Sequence, residues 1–189
     1  MTEKVLKIQN INDPYLRHAI WEMYVIAFSD TDDHCAQDQI CYDNESMDQA
    51  LQDPDYWKFV LLFDNKPIGL CILTNNLKKA RIAYCNDRFL RRKFPKYTAE
   101  GRLYYVTAIC VLPEMQKLHH GIKLLKEVIS FIDENKAMVS YDFSDNKNSN
   151  LPDIIIFVAK ELNKITIMRA DLDRQIYTSL YGQHHGKPS

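Results

Sequence analysis

Glycine is scarce, five in 189 residues, and several chemistries go with it. There is no G-x-G-x-x-G, no G-x-x-x-x-G-K-[ST] and no G-x-S-x-G, so Rossmann, kinase and serine-hydrolase readings fall away. Charge of one sign is equally lacking. With 24 Lys+Arg against 25 Asp+Glu the formal net charge is −1, which removes any global electrostatic case for nucleic acid or a membrane surface as partner. No apolar run approaches a membrane span, and the opening MTEKVLKIQN has neither the basic nor the long apolar region of a signal peptide, so a cytoplasmic protein is expected. Cysteine is few and odd in number: Cys35, Cys41, Cys71, Cys85 and Cys110. Two of them lie inside apolar strand-like runs, which reads as small core residues in a reducing compartment and implies no disulfide framework. Metal spacing is missing too. His34, Cys35 and Cys41 among aspartates match no standard zinc signature, and the adjacent His119 and His120 cannot point the same way from a helix start.

What is present suits one globular domain over residues 1–182, with 183–189 as a disordered tail. The chain is 46% hydrophobic and 11% aromatic, enough for a substantial core. Lys4–Ile11 alternates as a first strand, and Asn12 or Asp13 caps a helix with Pro14 in its first turn, running to about Phe28 on a Leu16, Ile20, Tyr24, Phe28 stripe. A polar, acidic loop leads to a short helix at about Glu45–Leu51. Trp57–Phe63 and Ile68–Thr74 read as strands joined by the hairpin composition Asp64-Asn65-Lys66-Pro67. Between Asn75 and Gly101 the chain carries its one basic cluster, Arg88, Arg91, Arg92, Lys93 and Lys96, on a short helix near Asn86–Lys93. That cluster is either a contact for an anionic group or a solvated face balanced against the acidic loop Asp30–Asp43. Further on, Ala137–Phe143 is a strand, Asn150 with Pro152 starts a helix, and Ile165–Leu172 with Gln175–Tyr181 forms an antiparallel pair around Asp173-Arg174.

The rest is organised around Val111–Lys126, VLPEMQKLHHGIKLLK. The β-branched and aromatic run Arg102–Leu112 reads as a buried strand that Pro113 stops. From Gly121 onward Ile122, Leu125, Val128, Ile129 and Ile132 recur at helical steps. With the helix starting near His119, the N–H groups of Lys117–Ile122 are the unpaired donors of a helix N-terminus, where peptide dipoles favour an anion. A phosphate fits there.

At these residues the chain resembles the GNAT family of acyl-CoA-dependent N-acyltransferases, whose central motif is a strand, V-x-P, then Q/R-x-x-G-x-G/A, then a helix. Here it runs Val111-Leu-Pro113 and Gln116-Lys-Leu-His119-His-Gly121. His119 replaces the first motif glycine, and His is among the residues less penalised in a left-handed turn. The order of elements follows the family across nearly the whole chain. The resemblance implies an α/β fold, a mixed, mostly antiparallel twisted sheet of six to seven strands with helices on both faces and splayed central strands. It implies acetyl-CoA as acyl donor. The pantetheine arm would lie between strands Arg102–Leu112 and Ala137–Phe143, against Ile109, Cys110 and Val111. The pyrophosphate would sit on Gln116, Lys117, Leu118, His119, His120, Gly121 and Ile122, with Asn150 nearby.

The implied reaction is direct attack of an amine on the thioester, which needs a base, a donor to the carbonyl and an acid for the thiolate. The donor would be a backbone N–H near Val111. For the acid, the family pattern N-x-x-A-x-x-x-Y puts Phe157 at the tyrosine when Asn150 is aligned, and Ile155 when Asn148 is. Neither has a hydroxyl, so Tyr141 or a water supplies the proton, the acid is dispensed with, or the site is not catalytic. Candidates for the base are Tyr105, Tyr104 and Glu100, and Cys110 in its apolar setting reads as core. Arg91 and Arg92 are candidate contacts to an acidic group of the acceptor. The protein is thus either an N-acetyltransferase acting on a small-molecule or peptide amine, or a non-catalytic acyl-CoA-binding or interaction protein of the same fold. A monomer or homodimer is expected.

Overall fold

The first strand stops earlier than its alternation suggests. The structure, a computed structural model, describes residues 2–29, 42–80, 87–143, 150–162, 169–173 and 176–180. In it β1 spans Glu3–Ile8 and pairs antiparallel with β2. Ile11, expected at the end of β1, is buried instead in the core below and donates its N–H to Leu51 O at 3.0 Å. Helix α1, Pro14–Phe28, is capped by Asp13, whose carboxylate accepts from Tyr15 N at 2.9 Å. Helix α2, Asn44–Gln52, opens on a reciprocal capping box between Asp43 and Ser46. Each such cap satisfies otherwise orphaned donors and contributes about 1 kcal/mol. Strands β2 (Tyr56–Phe63) and β3 (Lys66–Thr74) form a hairpin with Phe63 opposite Lys66. Its two-residue loop places Asp64 and Asn65 at φ 45° and 65°, the paired positive dihedrals that match the twist of the flanking strands.

After β3 come two short helices, α3 (Asp87–Lys93) and α4 (Pro95–Ala99), where the sequence suggests one. Strand β4, Leu103–Val111, pairs antiparallel with β3 and parallel with β5, Met138–Asp142. Between β4 and β5 run a 3-10 segment, Pro113–Leu118, and helix α5, His120–Glu134. Helix α6 is Leu151–Glu161, and β6 (Arg169–Asp173) and β7 (Ile176–Leu180) are an antiparallel pair with Asp173 opposite Ile176. The strand order is β1-β2-β3-β4-β5-β7-β6. The result is a mixed, mostly antiparallel sheet with helices on both faces.

Side-chain alternation divides the core. Ile20, Met23 and Tyr24 of α1 and Met47 and Leu51 of α2 cover one face, against Val60, Leu70, Ile72 and Ala108. Leu124, Val128, Phe131 and Ile132 of α5 cover the other, against Phe59, Leu61, Cys71 and Tyr104. Leu125 and Ile129 of α5 meet Ile155 and Val158 of α6 on that second face. Two features of β4 matter below. Thr107 is skipped in the register with β3, because Ile72 faces Ala108 and Leu73 faces Val106. Pairing with β5 ends after Leu103–Tyr105, although β4 continues six residues to Val111. Among the described residues no helix is long and apolar enough to cross a membrane.

Candidate functional site

Where β5 leaves β4, a cleft of about 650 Å³ opens, a size usual for small-molecule sites. Its walls come from Ile109, Cys110 and Val111 of β4, Ala27 and Phe28 at the end of α1, and Asn150, Asp153, Ile154 and Phe157 of α6. Gln116, His119, Gly121 and Ile122 bring the start of α5 to the same space. The local geometry follows from the sequence. Pro113 ends β4 and opens the 3-10 segment, and Gln116 Nε2 ties that segment back to Val111 O at 3.0 Å. His119 then turns the chain into α5 at φ 63°, ψ 6°. This is the left-handed conformation a motif glycine adopts without cost, and the carbonyl of His119 accepts from the N–H groups of Ile122 and Lys123 at 3.1 and 3.3 Å.

The α5 start carries no acidic residue in its first turn. The helix dipole at this end therefore meets no carboxylate from its own first turn, although Asp153 of α6 lines the same cleft. A Cβ added at Gly121 would meet Val111 Cγ2 at 3.7 Å, an ordinary contact. The protein's own packing thus does not require glycine at 121, and the missing side chain keeps the cleft floor open. Mostly apolar walls with an anion-favouring end fit a long thioester carrier with a pyrophosphate.

Not every expected residue reaches the cleft. His120 turns its side chain away: it is buried with Nδ1 2.7 Å from Glu3 Oε1 and its ring edge-on to Phe63. Helical geometry separates it from His119 by about 100°, so only its backbone N–H remains at the α5 start. Lys123 also donates to Glu3, at 2.8 Å to the carbonyl and 3.2 Å to Oε2. Burial works to raise the Glu3 pKa, but the bonds from His120 and Lys123 outweigh it and hold it below the usual value. The side chains of Lys117 and Leu118 lie outside the described residues. Asn150 borders the cleft but makes no side-chain cap, contrary to the capping role its position suggests.

The four proton-transfer candidates are not brought together. Glu100 precedes β4, is exposed and pairs with Arg102, at the other end of the strand from the cleft residues Ile109–Val111, roughly 25 Å from Val111 by the length of β4. Tyr141 is buried towards α5 and α6, where with Ile129, Val139 and Ile155 it lines an apolar recess of about 30 Å³. Tyr105 lies on the opposite face, 2% exposed, and donates its hydroxyl to the carboxylate of Asp142. Desolvation raises the Asp142 pKa, with the bond from Tyr105 opposing it. Tyr104 packs edge-on against Phe131 as core. Cys110, half-buried at the cleft, contacts Met23 Sδ at 4.0 Å, and burial pushes its thiol up to about 12. Phe157 stands at the cleft, 51% exposed.

Arg91 and Arg92 are exposed on α3, and Arg91 Nε bonds Asp87 Oδ2 at 3.1 Å. Leu90 docks that helix on Leu103 and Tyr105, on the Tyr105 side of the sheet. The acidic residues 30–41, with His34, Cys35 and Cys41, lie outside the described residues, as do Cys85, Asn148 and 183–189. Among the described residues no group of three or more His, Cys, Asp or Glu is placed to hold a metal ion. Sequence reasoning missed Asp153, Ala27, Leu151 and Ile154 as cleft residues, and the Tyr105–Asp142 pair. For Asp142 the signal was available, a lone carboxylate inside the apolar run AMVSYDF.

No family model matches the sequence, and no curated protein is significantly similar to it. Solved structures do match in fold. The chain is similar to FeeM, an N-acyl amino acid synthase from uncultured soil microbes, at 13% identity and TM-score 0.58 over 95% of this chain and 91% of that one. It is similar to Arabidopsis thaliana NAA60 in complex with a bisubstrate analogue, at 14% identity and TM-score 0.57 over 95% of each chain. It is also similar to PaiA N-acetyltransferase from Thermoplasma acidophilum in complex with coenzyme A, at 13% identity and TM-score 0.56 over 97% and 100%. The chain has the fold of the GNAT acetyltransferases, in a divergent sequence.

Proposed function

We propose that this protein is an acyl-CoA-dependent N-acyltransferase that transfers acetyl from acetyl-CoA to the amine of a small molecule or peptide by direct attack. One observation carries the reading: the end of β4, beyond its pairing with β5, lines a cleft that α6 borders and that runs to an α5 N-terminus turned by a left-handed His119. A thioester carrier laid there meets backbone groups of Ile109, Cys110 and Val111 along its arm. Its pyrophosphate meets the N–H groups at 119–121; that of Ile122, expected from the sequence to be unpaired, instead donates to His119 O at 3.1 Å. The likeness to PaiA in complex with coenzyme A supports the same placement. Val111 N–H would polarise the thioester carbonyl. A thiol leaves readily, so Phe157 in place of a proton donor slows rather than forbids the reaction. Arg91 and Arg92 would hold an acidic group of the acceptor. We place the protein in the cytoplasm.

A second reading is favoured by Phe157 and by the remoteness of Glu100: a protein of this fold that holds acyl-CoA without turnover. Two measurements decide. Mass spectrometry of the purified protein should find retained coenzyme, and thiol release with acetyl-CoA and an amine library should exceed the hydrolysis blank. Coenzyme binding with no thiol above the blank favours the second reading, and no binding at all overturns both.

A further inference from the structure

The apolar recess beside Tyr141 adjoins the cleft. It shares Ile109, Leu125 and Leu151 with the cleft walls and continues to Val106 of β4, Tyr141 of β5 and Ile129 of α5. Its place in the sheet is where the strand pairing ends: Tyr105 and Ser140 are the last pair, and Val106 and Tyr141 are the next residue on each strand. The skip at Thr107 shapes it. In a regular strand Val106 and Ile109, three apart, point to opposite faces, but with Thr107 left out of the ladder both pack on the side of α5 and α6. The recess also lies away from the anion-favouring end. On α5, Leu125 stands about 6 Å and Ile129 about 12 Å along the axis from Gly121. Polarity falls in the same direction: Gln116, His119, Asn150 and Asp153 line the cleft and not the recess, whose described walls are aliphatic apart from Cys71 and Tyr141. Close-packed cores leave few such voids, and one with aliphatic walls takes an apolar guest in preference to water.

We propose that this recess receives the end of the donor's acyl chain, and that the donor the site fits best is a short linear acyl-CoA of about hexanoyl length, with acetyl as the smallest group it takes. The inference rests on the acyl-CoA reading and concerns the acyl group alone. With the thioester carbonyl at Val111, Ile109 is two strand residues away, about 7 Å. An acetyl methyl ends short of that point, whereas a hexanoyl chain spans it and carries its last carbon past Ile109. Beyond Ile109 the recess of about 30 Å³ holds about one methyl or methylene group. Ile132 and Val139 close it behind. The same cavity that rewards a chain of this length therefore excludes a longer one.

Calorimetric titration of wild type, V106L and I129V with acetyl-, butyryl-, hexanoyl- and octanoyl-CoA tests this. Each fully buried methylene is worth about fourfold in affinity. Hexanoyl-CoA, part of whose chain lies in the open cleft, should therefore bind wild type at least about tenfold tighter than acetyl-CoA, with butyryl-CoA between them and octanoyl-CoA no tighter than hexanoyl-CoA. V106L adds one carbon where the recess has room for about one, and should remove most of the hexanoyl gain while acetyl-CoA binds as before. I129V takes one carbon from another wall and should let octanoyl-CoA bind tighter than hexanoyl-CoA. Each variant changes a single carbon, and melting curves without ligand check that it is folded. Equal affinity of wild type for acetyl- and hexanoyl-CoA overturns the inference alone. So does a gain with chain length that V106L leaves intact, since the chain would then lie outside the recess. No binding of any acyl-CoA by wild type overturns it together with the reading it rests on.

Discussion

His119 holds a left-handed backbone that costs a side-chain-bearing residue on the order of 1 kcal/mol, and the strain sits where the chain turns into α5. Gly121, two residues on, is helical and has room for a methyl group by the protein's own packing. On the proposed function, glycine at 121 leaves room for what the cleft admits. Replacing Gly121 by Asp should leave the circular dichroism spectrum and melting temperature near wild type. It should abolish measurable acetyl-CoA binding in calorimetry, because a carboxylate would stand at the N–H groups proposed for the pyrophosphate. Unchanged affinity in the folded variant would put the anion site elsewhere. Lys58 is the other residue whose surroundings are unusual. It is fully buried on β2, donating to Gln9 O and Asp53 O at 2.6 Å each. Burial pulls its pKa down to about 8, with the charge of Asp53 pulling back. The unfolded chain, near 10.5, then binds more protons than the folded one between pH 8 and 10.5. Stability on this account rises with pH through that window, by at most about 1.4 kcal/mol per unit. Urea unfolding of wild type and Lys58→Met across pH 7–10.5 should show a steeper rise for wild type; parallel slopes would mean that Lys58 titrates normally.

At the scale of elements, β4 carries most of the architecture. Its first three residues pair with β5, its middle residue Thr107 is skipped against β3, and its last three line the cleft. A nine-residue strand thus passes from core to site without a loop. Helix α3 is anchored to the beginning of β4 by Leu90, which is fully buried against Leu103 and Tyr105. This leaves Arg91 and Arg92 exposed on the face that carries the Tyr105–Asp142 pair. If α3 borders the acceptor site, the double change of Arg91 and Arg92 to Ala should raise KM for an amine carrying a carboxylate or phosphate several-fold and leave coenzyme affinity alone. If it is a solvated helix, steady-state kinetics will show no change, since exposed ion pairs such as Arg91–Asp87 contribute little. A loss of coenzyme affinity would instead assign the cluster to the coenzyme.

For the whole molecule, periodicity and turn chemistry made the framework legible. The hairpin at Asp64-Asn65, the cap at Asp13 and the stripe of α5 all lie where composition suggests, because each is decided by neighbours within a few residues. What local pattern could not supply was lateral placement. Nothing near His120 announces Glu3, 117 positions away, as its partner. Likewise, Glu100 looked close to the motif strand in sequence although β4 carries the site to its far end. The Tyr105–Asp142 pair depends on a parallel register that no short-range signal encodes. That register is also the molecule's weak seam, since β1–β4 and β5–β7 join through three residue pairs. Behind the seam α5 and α6 pack through Leu125, Ile129, Ile155 and Val158, and Lys126 Nζ meets Glu161 at 2.9 Å. A coenzyme lying in the cleft would touch β4, α5 and α6 together and bind only the folded chain. At about 100 times its Kd, acetyl-CoA should add about 2.7 kcal/mol to unfolding, which for a chain of this size raises Tm by roughly 5–10 °C. Thermal denaturation with acetyl-CoA, and with adenosine as a ligand lacking both pyrophosphate and thioester arm, separates the outcomes. A rise for acetyl-CoA that is lost in Gly121→Asp supports binding across the seam; equal curves with and without acetyl-CoA would exclude it.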